Sequence, residues 1–506
     1  MRIAHPLERE EAVAPDRALG ALSAVECPGP GRESGASHDA PPPPRSLQDA
    51  GLSEEFVAGL VLKALHVRGA TMGLDLVELL ALPMSLLDAV LEGVQERRFV
   101  EVHSTQGPRR GEYVFRLTSA GRLRAREEME SCRYVGPAPV PFEDFCLWVE
   151  RQAVHQVRIS EGELRAVLHD VELPESVLDQ VGPAINSGRS LFLHGGPGDG
   201  KTLLAERIAR LFGDRYYVPH AVLVDDSVMV VYDPVVHRFG TTEALDTEAA
   251  THESPYPEAT TNESTHPDAT GPAESTSEVV SLETRQAIVR SIPRHDRRYV
   301  EARRPVVFTG GELLLEHLGL RWDPSGRMYQ APPQLKAAGG VLVVDDLGRQ
   351  SMPVRDLLNR WIVPLEQGRD YLTPRSGRKI VVPFDCFVIF STNLEPSSLA
   401  DEAFLRRIHY KIELPSPERD EMERIFRACC EERDIPFDPS LVDYLYADVY
   451  ADDTIAPRRC HPRDVLDHLT HLARYRGETG RLSRELLESA CRSYFLAASQ
   501  DSKKEC

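Results

Sequence analysis

Several things are missing from this 506-residue chain, and each absence excludes a class. No apolar run approaches the roughly 20 residues that a membrane-spanning helix needs, so no membrane insertion is expected. Glu8, Glu10 and Glu11 stand where a secretory leader would need an apolar stretch. The nine cysteines are scattered, odd in number and without a C-x-x-C pair, which speaks against a disulfide framework and for a reducing compartment. A cytoplasmic location is expected. Basic residues are outnumbered, 59 against 79 acidic, and the net charge of −20 argues against a general nucleic-acid coat. Between Thr241 and Thr284 there is no Lys or Arg at all, while Glu243, Asp246, Glu248, Glu253, Glu258, Glu263, Asp268 and Glu274 are present. Such a segment buries too little apolar surface to order itself and reads as an acidic disordered insertion inside a folded domain. Residues 1–50, rich in Pro, Gly, Ser and Ala, read as a disordered tail for the same reason.

What is present is organised around Arg189–Thr202, RSLFLHGGPGDGKT. Ser190–His194 reads as a short buried strand. It runs into Gly195-Gly196-Pro197-Gly198-Asp199-Gly200-Lys201-Thr202, and an amphipathic helix over Leu203–Asp214 follows, with Leu204, Ile208, Leu211 and Phe212 on one face. Strand, G-x-x-x-x-G-K-T loop and helix form the context of a phosphate-binding loop. Glycines let backbone N–H groups face phosphate, and the helix N-terminus adds positive potential. Lys201 reaches the β- and γ-phosphates, and the Thr202 hydroxyl ligates Mg²⁺. The loop through Leu203 is therefore the expected ATP site.

Other pieces follow in order. Val341–Asp346 is an apolar strand ending in two carboxylates. Asp345 is placed to hold the metal through water, and Asp346 to orient and deprotonate the attacking water. Phe387–Asn393 is a second apolar strand, whose terminal Asn393 can hold that water without adding charge. Arg406 and Arg407 end a helix, where a guanidinium can reach a neighbouring subunit's γ-phosphate. Arg463, near the start of a helix opened by Cys460-His461-Pro462, is a second cation for bound nucleotide. Singly, each of these last four could be an ordinary solvated side chain.

Upstream, helices over Phe56–His66, Leu74–Leu82 and Met84–Arg97 precede alternating strands Phe99–His103 and Tyr113–Leu117 and a Thr118-capped helix, Ala120–Glu130. This 51–131 unit resembles a winged-helix domain. Its candidate groove helix carries Asp88, Glu92 and Glu96, which phosphate repels. Arg109 and Arg110 at the wing tip, with Arg122, Arg124 and Arg126, could still touch a DNA backbone. A protein-docking or structural role is favoured over DNA.

Residues 132–170 read as a connector, with a proline-stiffened strap at Tyr134–Pro141 and a helix over Phe142–Val157. Pro174 starts a further helix. Ala221–Tyr232 reads as a tight hairpin.

As a set, these motifs resemble the AAA+ ATPases: Walker A at Gly195–Thr202, Walker B at Val341–Asp346, sensor 1 at Asn393, arginine finger at Arg406 or Arg407, sensor 2 at Arg463. The resemblance implies a three-layer α/β core with a parallel sheet over 171–417, a helical lid over 418–500, and ATP bound between subunits of a ring, usually a hexamer. Because the segment just before such a loop contacts the adenine in related ATPases, the resemblance also makes Val171–Ile185 the expected base pocket. Most of the family carries Asp-Glu where this chain has Asp345-Asp346. Hairpins at Leu320–Tyr329 and Asp370–Val382 resemble the inserts of MoxR-like relatives, which makes Met328 and Tyr329 candidates to grip a substrate, with a core-packed Tyr329 as the alternative. Two functions remain open: an Mg²⁺-dependent ATPase that remodels a protein or protein–nucleic-acid assembly, and a slowly hydrolysing switch or DNA-binding regulator that works through the winged helix.

Overall fold

In the computed structural model, the described residues are 40–212, 215–238, 295–399, 402–451, 455–477 and 484–501. The acidic insertion expected over 241–284 and most of the expected 1–50 tail lie outside them. Residues 40–50 do not: here the structure corrects the expected tail. Pro41, Pro44 and Ala50 are buried. The Pro41 carbonyl accepts from the Asp296 amide at 2.7 Å, and the Ala50 carbonyl accepts from the Arg298 guanidinium at 2.8 Å. A proline-rich strand keeps its carbonyls free, so it can be tied down by donors from elsewhere.

Residues 54–131 form helices Glu54–Arg68, Gly73–Leu80, Met84–Glu96 and Ser119–Ser131 around a three-stranded antiparallel sheet in the order Thr71–Met72, Tyr113–Leu117, Val100–Thr105. Ser53 caps the first helix by accepting from Phe56 N at 3.1 Å, and Thr118 caps the last by accepting from Gly121 N at 3.0 Å. Leu60, Val61, Leu76, Leu87, Leu91 and Phe115 fill the core.

A second β-unit, not foreseen as such, lies between this domain and the nucleotide core. Its mixed five-stranded sheet runs in the order Arg321–Asp323, Met328–Gln330, Ser227–Val230, Ala221–Val224, Val140–Pro141. The expected hairpins at Ala221–Tyr232 and Leu320–Tyr329 and the strap thus become one sheet, while the third, Asp370–Val382, stands apart as the antiparallel pair Arg369–Leu372 and Ile380–Pro383. Helix Phe142–Arg151 packs on it. That helix ends before the expected Val157 because the Gln152 amide turns away to bind Tyr217: its Nε2 donates to Tyr217 O at 3.1 Å and its Oε1 accepts from Tyr217 N at 2.7 Å. Tyr329 is 3% exposed and stacks edge-on against Trp322, and its hydroxyl accepts from the Arg375 amide at 2.8 Å. It is a core residue and not a substrate grip. Met328 packs against the core of the N-terminal domain, and Ala221 and Val228 belong to that core, so the two units share one apolar seam.

The nucleotide core is a five-stranded sheet, parallel throughout, in the order Val306–Thr309, Val341–Val344, Phe387–Thr392, Leu191–Gly195, Tyr410–Leu414. Its strands are apolar on both faces because helices cover both. Leu191, Leu193, Val341 and Val343 face one side, with Leu204 and Ile208 of helix Lys201–Ala209. Phe192, Leu342, Val344 and Phe390 face the other, with Leu357 and Trp361 of helix Val354–Gln367. The loop helix begins at Lys201 and closes in a 3-10 turn, Arg210–Phe212, earlier than the expected Asp214, which is not among the described residues.

Helices Arg419–Glu431, Pro439–Tyr444, His461–Arg476 and Arg484–Asp501 make the C-terminal lid around Phe426, Leu441, Leu445, Val465 and Leu487. Among the described residues no helix is long and apolar enough to cross a membrane.

Candidate active site

The site forms where three parallel strands end side by side. Leu191–Gly195 delivers the glycine-rich loop, Val341–Val344 delivers the two carboxylates, and Phe387–Thr392 delivers Asn393. The loop needs its glycines. Gly195, Gly198 and Gly200 have φ of 146°, 84° and 85°. A Cβ on Gly195 would stand 2.4 Å from the Leu414 carbonyl oxygen, and one on Gly198 would stand 2.4 Å from Cys460 Sγ.

Lys201 Nζ donates to the carbonyls of Gly195 (3.1 Å) and Gly196 (2.7 Å), folding back over the loop. Burial pushes the ammonium below its usual range, opposed by Asp199, Asp345 and Asp346. The Thr202 hydroxyl donates to Asp345 Oδ2 at 2.8 Å. Asn393 Nδ2 donates to Asp346 Oδ1 at 3.0 Å. Asp346 is in the left-handed region at φ 49°, and its amide donates to Asp345 Oδ1 at 3.0 Å. The Asp345 amide donates to Thr309 O and the Leu347 amide to Ser391 O, both at 2.8 Å, which ties the carboxylates to the strands on either side. Four expected residues, Thr202, Asp345, Asp346 and Asn393, thus form one hydrogen-bonded cluster, and the charge of Lys201 is felt by its two carboxylates. Leu203 follows at the surface, 40% exposed.

The donor set fits Mg²⁺ and a triphosphate. The Thr202 hydroxyl is a hard oxygen ligand and the Asp345 carboxylate an acceptor for a metal-bound water, a set suited to an ion that keeps several waters and is completed by phosphate. The positive-φ glycines and Lys201 are of the kind that a phosphate cradle requires.

The arginines separate. Arg407 Nε donates to Glu366 Oε1 at 2.6 Å, whereas Arg406 is exposed and forms no ion pair among the described residues. Arg463, expected at the nucleotide, instead pairs with the adjacent Asp464 at 3.2 Å, and 63% of its side chain is exposed. Two residues that the motif reading missed lie against the loop. Arg458 donates to Pro197 O at 2.9 Å, and the Cys460 amide donates to Gly198 O at 3.0 Å. Arg459 is buried and donates to Glu172 O, Pro415 O and the Glu421 carboxylate, the last at 2.7 Å with both side chains under a tenth exposed. It fastens the lid to the segment before the nucleotide helix and to the exit strand. The only signal for this pair was the dipeptide Arg458-Arg459 just ahead of the lid helix.

The parallel α/β core carries this loop, with the carboxylates and the asparagine on neighbouring strand ends and a helical lid behind, which is the arrangement that the resemblance to AAA+ ATPases implies. The lid segment 418–493 matches a domain family of unknown function, DUF8689. Among solved structures the chain is similar to NtrX from Brucella abortus in complex with ADP, at 14% identity over 64% of this chain and 56% of that one, with a TM-score of 0.34. It is also similar to the RuvB Holliday junction branch migration motor of Thermotoga maritima, at 12% identity over 65% and 73%, with a TM-score of 0.33. The chain therefore spans little more than half of that NtrX chain. No curated protein matches by sequence.

Proposed function

We propose that the chain binds and hydrolyses ATP with Mg²⁺ and uses the cycle to remodel a protein or protein–nucleic-acid assembly in the cytoplasm. The observation that carries this reading is the connected cluster at the strand ends, Thr202 to Asp345 at 2.8 Å and Asn393 to Asp346 at 3.0 Å. Lys201 neutralises β- and γ-phosphate charge once it leaves the loop carbonyls. Asp346 accepts a proton from the attacking water, and Asn393 fixes the orientation of that carboxylate. Thr202 and Asp345 would hold the metal, which would supply neutralisation of the charge that develops on the transferred phosphoryl group.

Arg406 is the better candidate for an arginine finger, since Arg407 is held by Glu366. That role needs a neighbouring copy, so a homo-oligomeric ring, most simply a hexamer, belongs to the proposal. The N-terminal domain is read as facing protein and not DNA. Arg110 is committed to Asp88 O, Arg122 to Leu117 O and Ser119, and Arg124 to Glu128 at 2.7 Å, which leaves few guanidinium groups for phosphate.

ATP turnover per subunit across a dilution series tests this, with Arg406→Ala and Arg407→Ala alongside. Turnover per subunit is expected to fall on dilution, and Arg406→Ala to lose at least about 10³-fold. ATP binding with negligible turnover at every concentration would replace the motor by a slow switch.

A further inference from the structure

One carboxylate in the phosphate loop has no part in the chemistry above. Asp199 is fully buried, at 0% exposure, and neither of its oxygens makes a hydrogen bond of normal geometry. The carboxylate folds back over the loop, so that a Cβ on Gly196 would stand 2.6 Å from its Oδ2. The Arg459 backbone faces it, but among the described residues no side chain completes an ion pair with it, and a buried carboxylate left that way is costly and calls for an explanation.

Three cations surround it: Arg459, Lys201 and Arg458. Arg459 is committed, with one ion pair and two carbonyl acceptors. Lys201 is bonded to Gly195 and Gly196 and is the side chain that phosphates would draw away. Among the described residues, Arg458 is hydrogen-bonded to the loop through the neutral Pro197 carbonyl. It is half-buried, and its Cδ lies 3.9 Å from where a Cβ on Gly198 would stand, beside Asp199. A guanidinium bonds a carboxylate about twice as strongly as a neutral acceptor.

We propose that Asp199 and Arg458 form a latch between the phosphate loop and the lid. When phosphates engage Lys201, the Arg458 guanidinium moves from Pro197 O to the Asp199 carboxylate and draws the segment ahead of helix His461–Arg476 onto the loop. Asp199 is then a positioning residue. The inference rests on the nucleotide reading of the loop and adds to it the means by which the lid senses an occupied site.

The test uses the full chain with Asp199→Asn, Arg458→Gln, the double variant and Lys201→Ala. Two quantities are read: the melting temperature without nucleotide, and the dissociation rate of a fluorescent ATP analogue with Mg²⁺. Asp199→Asn removes an unpaired buried charge, so its melting temperature without nucleotide is expected to be unchanged or higher. The analogue is expected to leave about tenfold faster from Asp199→Asn and from Arg458→Gln, and no faster still from the double variant, because each removes the same ion pair. A lower melting temperature with unchanged dissociation would overturn the latch, making Asp199 a brace of the loop. Multiplying effects in the double variant would overturn the pairing. Analogue affinity undiminished in Lys201→Ala would remove the nucleotide reading itself, whereas loss of affinity there with normal dissociation from Asp199→Asn would remove only the latch.

Discussion

Asp346 and Asn393 come from different strands and meet through one hydrogen bond of 3.0 Å. If Asp346 takes the proton from water, Asp346→Ala should keep ATP affinity and lose about 10²–10⁴-fold in turnover, as single-turnover measurements would show. Unchanged turnover would place the base elsewhere. His461 supports a second prediction. Burial, and then Arg458, push its imidazole down to about 4, and the hydroxyl of Tyr450 lies 2.8 Å from Nδ1. His220 is lowered to about 4 by burial alone. A depressed imidazole pKa means that the unfolded chain takes up protons first as pH falls. Stability is therefore full above about pH 6.5 and declines toward pH 4, by at most about 3 kcal/mol for each group. Denaturant midpoints at about pH 7 and 5 measure this decline, and His461→Gln should reduce it. At this scale the sequence was enough to group Lys201, Thr202, Asp345, Asp346 and Asn393 as one candidate site, because each ends or follows a strongly patterned strand, and the structure places them near one another. It could not rank Arg406 against Arg407, since the partner that ties down Arg407 is Glu366, on a helix far along the chain. Nor could it find Arg458, whose contact with Pro197 exists only once the lid has docked.

Among the elements, the loop meets the lid at Gly198, and Arg459 fastens the lid to the core at Glu172 and Pro415. Gly198 combines φ 84° with a Cβ position 2.4 Å from Cys460 Sγ. Gly198→Ala should therefore both strain the loop and push the lid away, weakening ATP binding by about tenfold or more in a titration, with the fold intact. Arg459 and Glu421 form a buried pair, and removing one partner leaves the other's charge uncompensated. Arg459→Met should cost about 3–5 kcal/mol in chemical denaturation, and adding Glu421→Leu should restore much of it. If the single change costs nothing, the clamp is not holding the lid. The helices were readable from their 3.6-residue period and the core strands from short continuous apolar runs bounded by polar or glycine residues. The second β-unit was not. Its sheet draws strands from Val140–Pro141, Ala221–Val230 and Arg321–Gln330, and pairing across such separations leaves no local trace.

For the whole molecule, the shared seam matters most. Ala221 and Val228 lie in the same buried cluster as Val61 and Leu91, with Met328 packed against it. The N-terminal domain is therefore built onto the β-unit and is not a module on a free tether. Deleting residues 1–131 should expose that seam and lower the melting temperature of what remains by several degrees, read by calorimetry against the full chain. An unchanged transition would show the domain to be independent. The proline-rich residues 40–50 reinforce the seam through Arg298, which donates to both Ala50 O and Pro139 O.

The claim on which the rest depends is that the loop at Gly195–Thr202 binds ATP through Lys201. Calorimetric titration of ATP with Mg²⁺ into the full chain and into Lys201→Ala tests it most directly. The account predicts saturable binding to the parent and at least about a hundredfold weaker binding to the variant, from losing a close cation in a partly desolvated site. Equal affinity in both proteins would contradict it.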